Sequence, residues 1–182
     1  MVFGDSLSAA YNLAVEQGWV QVVARRIKAS GLPWHVVNAS LTGETTTGGL
    51  ARIAEDLKRH QPSVVVIELG ANDALRGLPV PGMRNNLEQI VRRVKQAGAE
   101  PVLVGMMIPP NYGIDYAAQF SGMYGALARK SGAAIVPFLL DGVAEKPELF
   151  QADQLHPTAA AQERIADNVW KVVEPLLKKK AK

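Results

Sequence analysis

The chain contains no cysteine, which excludes disulfides, thiolate metal sites and a cysteine nucleophile. Long apolar runs are missing too. The longest, residues 64–67 and 102–108, fall well short of the ~18 apolar residues of a membrane span, so no stable membrane insertion is expected. Charge of one sign is scarce: the net charge is +3, and much of the excess sits at Lys178, Lys179, Lys180 and Lys182. The remaining body is close to neutral and offers no basic face for nucleic acid. No repeat, low-complexity run or Ser/Gly linker breaks the chain, so residues 1–182 read as one domain, with 178–182 an unordered basic tail. There is also no secretory leader in the chain as it stands, because Gly4 and Asp5 follow Met1-Val2-Phe3 at once.

What is present is a rhythm. The 182 residues are 48% hydrophobic, enough for one substantial core. Short β-branched runs alternate with longer helical patterns, which predicts βαβ units around a parallel sheet. Strands are expected at residues 1–3, 36–38, 64–69, 102–107 and 134–136, giving an α/β fold with a mainly five-stranded central sheet. Between them Trp19, Val22, Val23 and Ile27 recur at helical spacing, as do Leu50, Ile53 and Leu57, then Leu87, Ile90, Val91 and Val94. Phe120, Met123, Tyr124 and Leu127 form a further stripe, and Ile165, Val169, Trp170, Val173 and Leu176 another. Core packing accounts for these residues and for all three tryptophans.

Four short blocks carry chemistry. Gly4-Asp5-Ser6-Leu7-Ser8 follows the first strand, and Asp153-Gln154-Leu155-His156 is expected to open the last helix. A serine hydroxyl becomes a useful nucleophile when an imidazole takes its proton and a carboxylate fixes that imidazole, and Ser6, His156 and Asp153 are those three types. Acyl transfer also requires donors for an oxyanion. Three are available: the Ser6 N–H, read as opening a helical segment; the Gly43 N–H in Leu41-Thr42-Gly43-Glu44-Thr45; and the Asn72 side chain in Gly70-Ala71-Asn72-Asp73. Taken singly, each block is also an ordinary turn or helix cap. Together they fall at predicted loops, the first three at the C-terminal ends of consecutive strands, where open parallel sheets bind ligands.

Two irregular stretches, 75–82 and 109–116, follow strand ends and are expected to wall a cleft. Leu75, Leu78, Val80, Met106, Ile108, Pro109 and Pro110 offer it an apolar lining, which favours acyl or aryl groups over sugars. Asp5, Leu7 and Tyr112 are further candidate substrate contacts. His35 and His60 read as exposed bystanders.

The blocks also resemble the SGNH (GDSL-type) hydrolases, and within them the bacterial thioesterase I, arylesterase and lysophospholipase group. The resemblance runs nearly end to end, through Val37-Asn38-Ala39-Ser40, Gly49-Leu50-Ala51-Arg52, Val66-Ile67-Glu68-Leu69-Gly70, Leu75-Arg76-Gly77 and Pro109-Pro110-Asn111-Tyr112-Gly113. It implies a three-layer α/β/α flavodoxin-like fold with Ser6 as nucleophile, His156 as general base and acid, and Asp153 as its orienting carboxylate. Ser6 N–H, Gly43 N–H and Asn72 would form the oxyanion hole. It further implies a monomer that hydrolyses small acyl esters and thioesters without metal or cofactor, in the periplasm or outside the cell, the cytoplasm being the alternative. Two departures stand out: Gly43-Glu44-Thr45 where relatives often read Gly-Asp-Thr, and Gly70-Ala71-Asn72-Asp73 where they read Gly-Gly-Asn-Asp. Both bear on substrate preference more than on activity. The first strand also looks short beside relatives, as a trimmed or late-started chain would.

Three other readings compete. An α/β-hydrolase shares the order Ser, Asp, His, but its nucleophile elbow needs a glycine where Ser8 stands. A carbohydrate acetylesterase on the same scaffold would act on acetylated sugars and not on longer acyl chains. A flavodoxin-like module would cradle phosphate or flavin at residues 4–8; it leaves Asp153 and His156 unexplained and lacks a glycine-rich fingerprint.

Overall fold

β-Branched and apolar runs become strands buried on both faces, as parallel sheets require. The structure, a computed structural model, describes residues 1–181. Four strands, β1 (Val2–Gly4), β2 (Val64–Glu68), β3 (Glu100–Val104) and β4 (Ala134–Val136), pair in parallel in that order. Phe3, Ile67 and Leu103 at their centres are fully buried.

The strand expected at 36–38 is reduced to a single parallel bridge, Val2 to Asn38. Its main chain still runs beside β1, with Val2 N–H donating to Val37 O and Ala39 N–H to Val2 O, each at 2.8 Å. Leu41 N–H then bonds Gly4 O at 3.0 Å, but no bond from Gly4 N–H to Ala39 O closes a second bridge among the described residues. That outer segment makes β1 the point where the chain reverses its direction of travel across the sheet. Right-handed crossovers on either side of such a point must lie on opposite faces. Accordingly α1 (Trp19–Ala29) packs against α6 (Gln162–Lys180), while α2 (Thr46–His60), α4 (Val80–Gln96) and α5 (Ile114–Ser131) pack side by side. A short α3 (Ala71–Leu75) links β2 to α4.

Several expectations are corrected. Residues 6–12 form successive turns, with Ala9 N–H donating to Asp5 O at 2.9 Å, and no regular helix follows Ser6 directly. β3 ends at Val104, because Gly105 turns closely against Pro137 and frees residues 106–107 from the sheet. His156 does not open the last helix: Gln151 N–H donates to His156 O at 2.8 Å, holding a tight loop, and α6 starts at Gln162. The tail is helical through Lys180, where Lys178 pairs with Glu174 at 2.8 Å one turn earlier; Lys182 lies outside the described residues. The tryptophans do pack with the core as expected, Trp19 fully buried and Trp34 and Trp170 half-buried against it.

Candidate active site

The reversal at β1 creates a crevice beyond the C-terminal ends of β1 and β2, where doubly wound sheets place their ligands. The turn after β1 brings Ser6 to it, the segment after Asn38 brings Gly43, and α3 brings Asn72. The loop before α6 returns His156 from the far end of the chain. His156 Nε2 lies 2.9 Å from Ser6 Oγ, and His156 Nδ1 lies 2.7 Å from Asp153 Oδ2. Asp153 Oδ1 accepts the main-chain N–H of Leu155 (2.9 Å) and of His156 (3.0 Å). Those bonds, led by the His156 N–H, hold the Asp153 carboxyl down at about 2. Such a set can transfer a proton from Oγ to imidazole while the carboxylate fixes the tautomer.

Two contacts not foreseen from sequence steady the imidazole. The Tyr11 ring lies against it, centroids 4.3 Å apart and planes inclined at 34°. Gln151 Nε2 donates to Tyr11 O (3.0 Å) and Pro157 O (3.1 Å), tying the nucleophile turn to the histidine loop. A glutamine two residues before Asp153 carried no motif that would have singled it out.

The donors converge on the same cleft. Among the described residues neither the Ser6 N–H nor the Gly43 N–H has an acceptor. Gly43 has φ +79°, a conformation that favours glycine. The Asn72 amide nitrogen lies 3.0 Å from Asp5 Oδ2 and 3.0 Å from Glu44 O. Two acceptors on one atom fix the amide's orientation, since its oxygen there would be repelled by both. Asp73 next door clasps α2: its carboxylate accepts Thr46 N–H (2.9 Å) and Thr46 Oγ1 (2.6 Å). The Glu44 that departs from the family pattern accepts Arg52 Nε at 2.6 Å. Ala71, the other departure, lines the cleft.

The cleft holds about 600 Å³. Asp5, Leu7, Leu75, Met106, Ile108 and Pro109 line it as expected. Leu78, Val80, Pro110 and Tyr112 do not. The Leu78 carbonyl is held by the Tyr116 hydroxyl at 2.6 Å, which turns that stretch outward. Val80 is buried at the start of α4, and Pro110 and Tyr112 form an exposed 3-10 turn. The wall they were expected to supply comes instead from Phe138, Leu140 and Phe150, beyond β4. His35 and His60 line a smaller cavity beside Met1 and Val64 at the N-terminal ends of β1 and β2; His35 is exposed and His60 half-buried, 4.0 Å from Asp56.

One buried group lies outside this set. Glu68 ends β2 fully buried beneath the nucleophile turn, beside Asp5, which is 1% exposed. Burial raises the Asp5 carboxyl to about 6 and pushes Glu68 well above the usual range. A charged residue closing an otherwise apolar strand was the sequence signal for it.

Residues 2–164 match the GDSL-like lipase/acylhydrolase family. The chain is 45% identical over 177 residues to esterase TesA of Pseudomonas aeruginosa, covering 97% of this chain and 88% of that one. It is 40% identical to thioesterase 1/protease 1/lysophospholipase L1 of Escherichia coli over 97% of this chain and 84% of the relative. Among solved structures, the psychrotrophic esterase EstA from Pseudoalteromonas, inhibited by monoethylphosphonate, superposes with a TM-score of 0.92 at 38% identity, covering 97% of both chains.

Proposed function

The chain belongs to the GDSL-like lipase/acylhydrolase family and is a serine esterase; from that premise we propose that Ser6, His156 and Asp153 carry its chemistry. Ser6 Oγ attacks the acyl carbonyl carbon while His156 Nε2 takes its proton. The tetrahedral oxyanion is met by the Ser6 and Gly43 N–H groups and by Asn72, whose amide exchanges one of its present acceptors for it. His156 then returns the proton to the departing alcohol or thiol, leaving an acyl-enzyme. A water gives up a proton to the same imidazole, attacks the acyl carbon and frees the acid. The observation that carries this reading is the unbroken line from Ser6 Oγ through His156 to Asp153, at 2.9 and 2.7 Å.

For substrates we propose acyl and aryl esters and acyl thioesters, with carbohydrate esters disfavoured. The apolar wall of Leu75, Ile108, Phe138 and Leu140 supports this, because it offers an acyl chain contact and a sugar no partners. Every group of the site comes from one chain, which fits a monomer. No helix among the described residues is long and apolar enough to cross a membrane. Action in the periplasm or outside the cell is assigned on family resemblance.

The test is hydrolysis of a p-nitrophenyl ester series and an acyl-CoA series by the protein and by Ser6→Ala, with an organophosphonate trap read by intact mass. One adduct on Ser6 and loss of turnover in Ser6→Ala support the reading. Turnover that survives Ser6→Ala overturns it.

A further inference from the structure

Glu68 is drawn into the site by strand pairing. Gly4 of β1 and Glu68 of β2 are register partners, so their side chains project to the same face as neighbours. Gly4 has no side chain, and a Cβ there would stand 2.8 Å from Glu68 Oε2 and 2.8 Å from Ser8 Oγ. The Glu68 carboxyl therefore leans across Gly4 into the turn that carries Ser6. Its Oε2 accepts Ser8 Oγ at 2.7 Å and Asp5 N–H at 3.3 Å, whereas Oε1 is buried with no partner among the described residues.

Asp5 continues the chain of contacts. Its Oδ1 accepts Leu7 N–H and its Oδ2 accepts Asn72 Nδ2, each at 3.0 Å. The two carboxyls are near neighbours, since Asp5 N–H already bonds Glu68 Oε2, and the charge of Asp5 adds to burial in pushing Glu68 up. Asp73 of α3 and the Tyr124 hydroxyl of α5 are the other titratable groups near them, with His156 beyond Asp5. Asp73 is occupied with Thr46, and the Tyr124 hydroxyl donates to Leu69 O. Among the described residues no lysine or arginine pairs with Asp5 or Glu68.

Two adjacent carboxyls shut from water without a cation cannot both be ionised; like charges in such a site force one proton to stay. The proton belongs on Glu68. An ionised Glu68 would bury a bare Oε1, while both Asp5 oxygens already have donors.

We propose that Glu68 is a positioning residue for this esterase: as a neutral acid under the nucleophile turn it fixes Ser8 and Asp5, and through Asp5 it aims the Asn72 amide at the developing oxyanion. The carboxyl touches neither substrate nor Ser6 Oγ. Its effect reaches the reaction only through Asp5 and Asn72, so losing it misplaces a donor used in the transition state and leaves ground-state binding largely alone. The inference rests on the proposed roles of Ser6 and Asn72.

The test compares the protein with Glu68→Gln and Glu68→Leu. Glutamine keeps the shape and replaces the acid O–H with an amide donor; leucine keeps bulk alone. The expected result is kcat within about threefold of the parent for Glu68→Gln, and on the order of 10- to 100-fold lower for Glu68→Leu with KM within about twofold. Infrared spectra at neutral pH should show the carbonyl stretch of a buried protonated carboxylic acid, lost in Glu68→Gln. This readout stands even if Glu68→Leu does not fold. Absence of that band, its survival in Glu68→Gln, or a Glu68→Gln enzyme impaired a hundredfold would each overturn the proposal. A parent protein that takes no phosphonate on Ser6 sinks the Ser6 assignment instead, and leaves the infrared result standing.

Discussion

Asp153 Oδ2 lies 2.7 Å from His156 Nδ1, and its other oxygen takes two main-chain N–H bonds from its own loop. The carboxylate is aimed by four consecutive residues and needs no distant partner. An asparagine there would keep the loop bonds but present an amide N–H to Nδ1. That forces the proton onto Nε2, where it cannot accept the Ser6 proton. Asp153→Asn should therefore lower kcat by roughly 10³- to 10⁴-fold with little change in KM. Steady-state kinetics on one ester decide it, and a loss below tenfold would remove Asp153 from the role.

Removing the amide of Asn72 tests the oxyanion site itself. Asn72→Ala should cost roughly 3–4 kcal/mol of transition-state stabilisation, or about a hundred- to thousandfold in kcat. Phosphonylation of Ser6 should slow in parallel, since that reaction also loads negative charge opposite the donors. A loss of a few fold would mean that Ser6 N–H and Gly43 N–H suffice.

The two aspartates flanking the site shift in opposite directions, which separates their effects on stability. Asp5 is raised to about 6, chiefly by burial. Its folded form holds a proton more tightly than its unfolded form, so its contribution is fully present below the ordinary value of 3.8 and is lost as pH rises through about 6. Asp153 is lowered to about 2 by the His156 N–H and its neighbours; its contribution is present above 3.8 and lost only as pH falls toward 2. Of the two aspartates, only Asp5, with the Glu68 carboxyl coupled to it, changes between pH 4 and 8; the buried Met1 amino group, lowered to about 6, also changes there but is common to the parent and to a variant at Asp5. Urea melts of the parent and Asp5→Asn should diverge across that window, the parent gaining up to about 3 kcal/mol relative to the variant as pH falls. A pH-independent difference would contradict it.

How much of this was legible in the sequence depends on how local each feature is. Ser6 and Asn72 sit just beyond strand ends, Gly43 lies past the outer segment, and Asp153 reaches His156 within one turn of chain, so their residue types and positions together pointed to one place, while the family resemblance supplied the roles. The outer segment at 36–38 carries the right residues but finds only a three-residue partner, which no pattern in its own stretch reveals. Leu78 looked like a cleft wall until Tyr116, 38 residues on, bound its carbonyl. Phe138 and Leu140 reach the cleft because Gly105 lets the chain after β4 stay close alongside the end of β3, with Leu139 N–H donating to Gly105 O at 3.0 Å. These are consequences of packing between distant segments. Glu68 lay between, visible as a misplaced charge with no way to name its partner.

Gly70 explains why the strand-to-α3 turn tolerates one residue type. Its φ is +120°, and a Cβ there would stand 2.5 Å from the Tyr124 hydroxyl, which holds Leu69 O at 2.9 Å. Gly70→Ala should destabilise the fold by about 1–3 kcal/mol and lower kcat, because Asn72 is carried on the displaced turn. Combining it with Tyr124→Phe frees the colliding oxygen and should recover part of the loss, a coupling that a double-mutant cycle of melts can measure. Strict additivity would show that the strain lies in φ alone.

The wall beyond β4 gives the most direct handle on substrate choice. Phe138 is half-buried and lines the cleft with Leu140 and Phe150, so under the proposed function its ring is placed to meet an acyl chain, well apart from Ser6 in sequence and role. Each buried methylene of a substrate gains ~0.8 kcal/mol, and a pocket separates homologues by about 1–3 kcal/mol for one group. Phe138→Ala should leave kcat/KM for an acetyl ester within about twofold and lower it for an octanoyl ester by roughly tenfold. The comparison is a ratio of two substrates on one enzyme, so a general loss of folded protein cancels. Equal losses on both esters would move the acyl chain elsewhere in the cleft, toward Leu75 and Ile108.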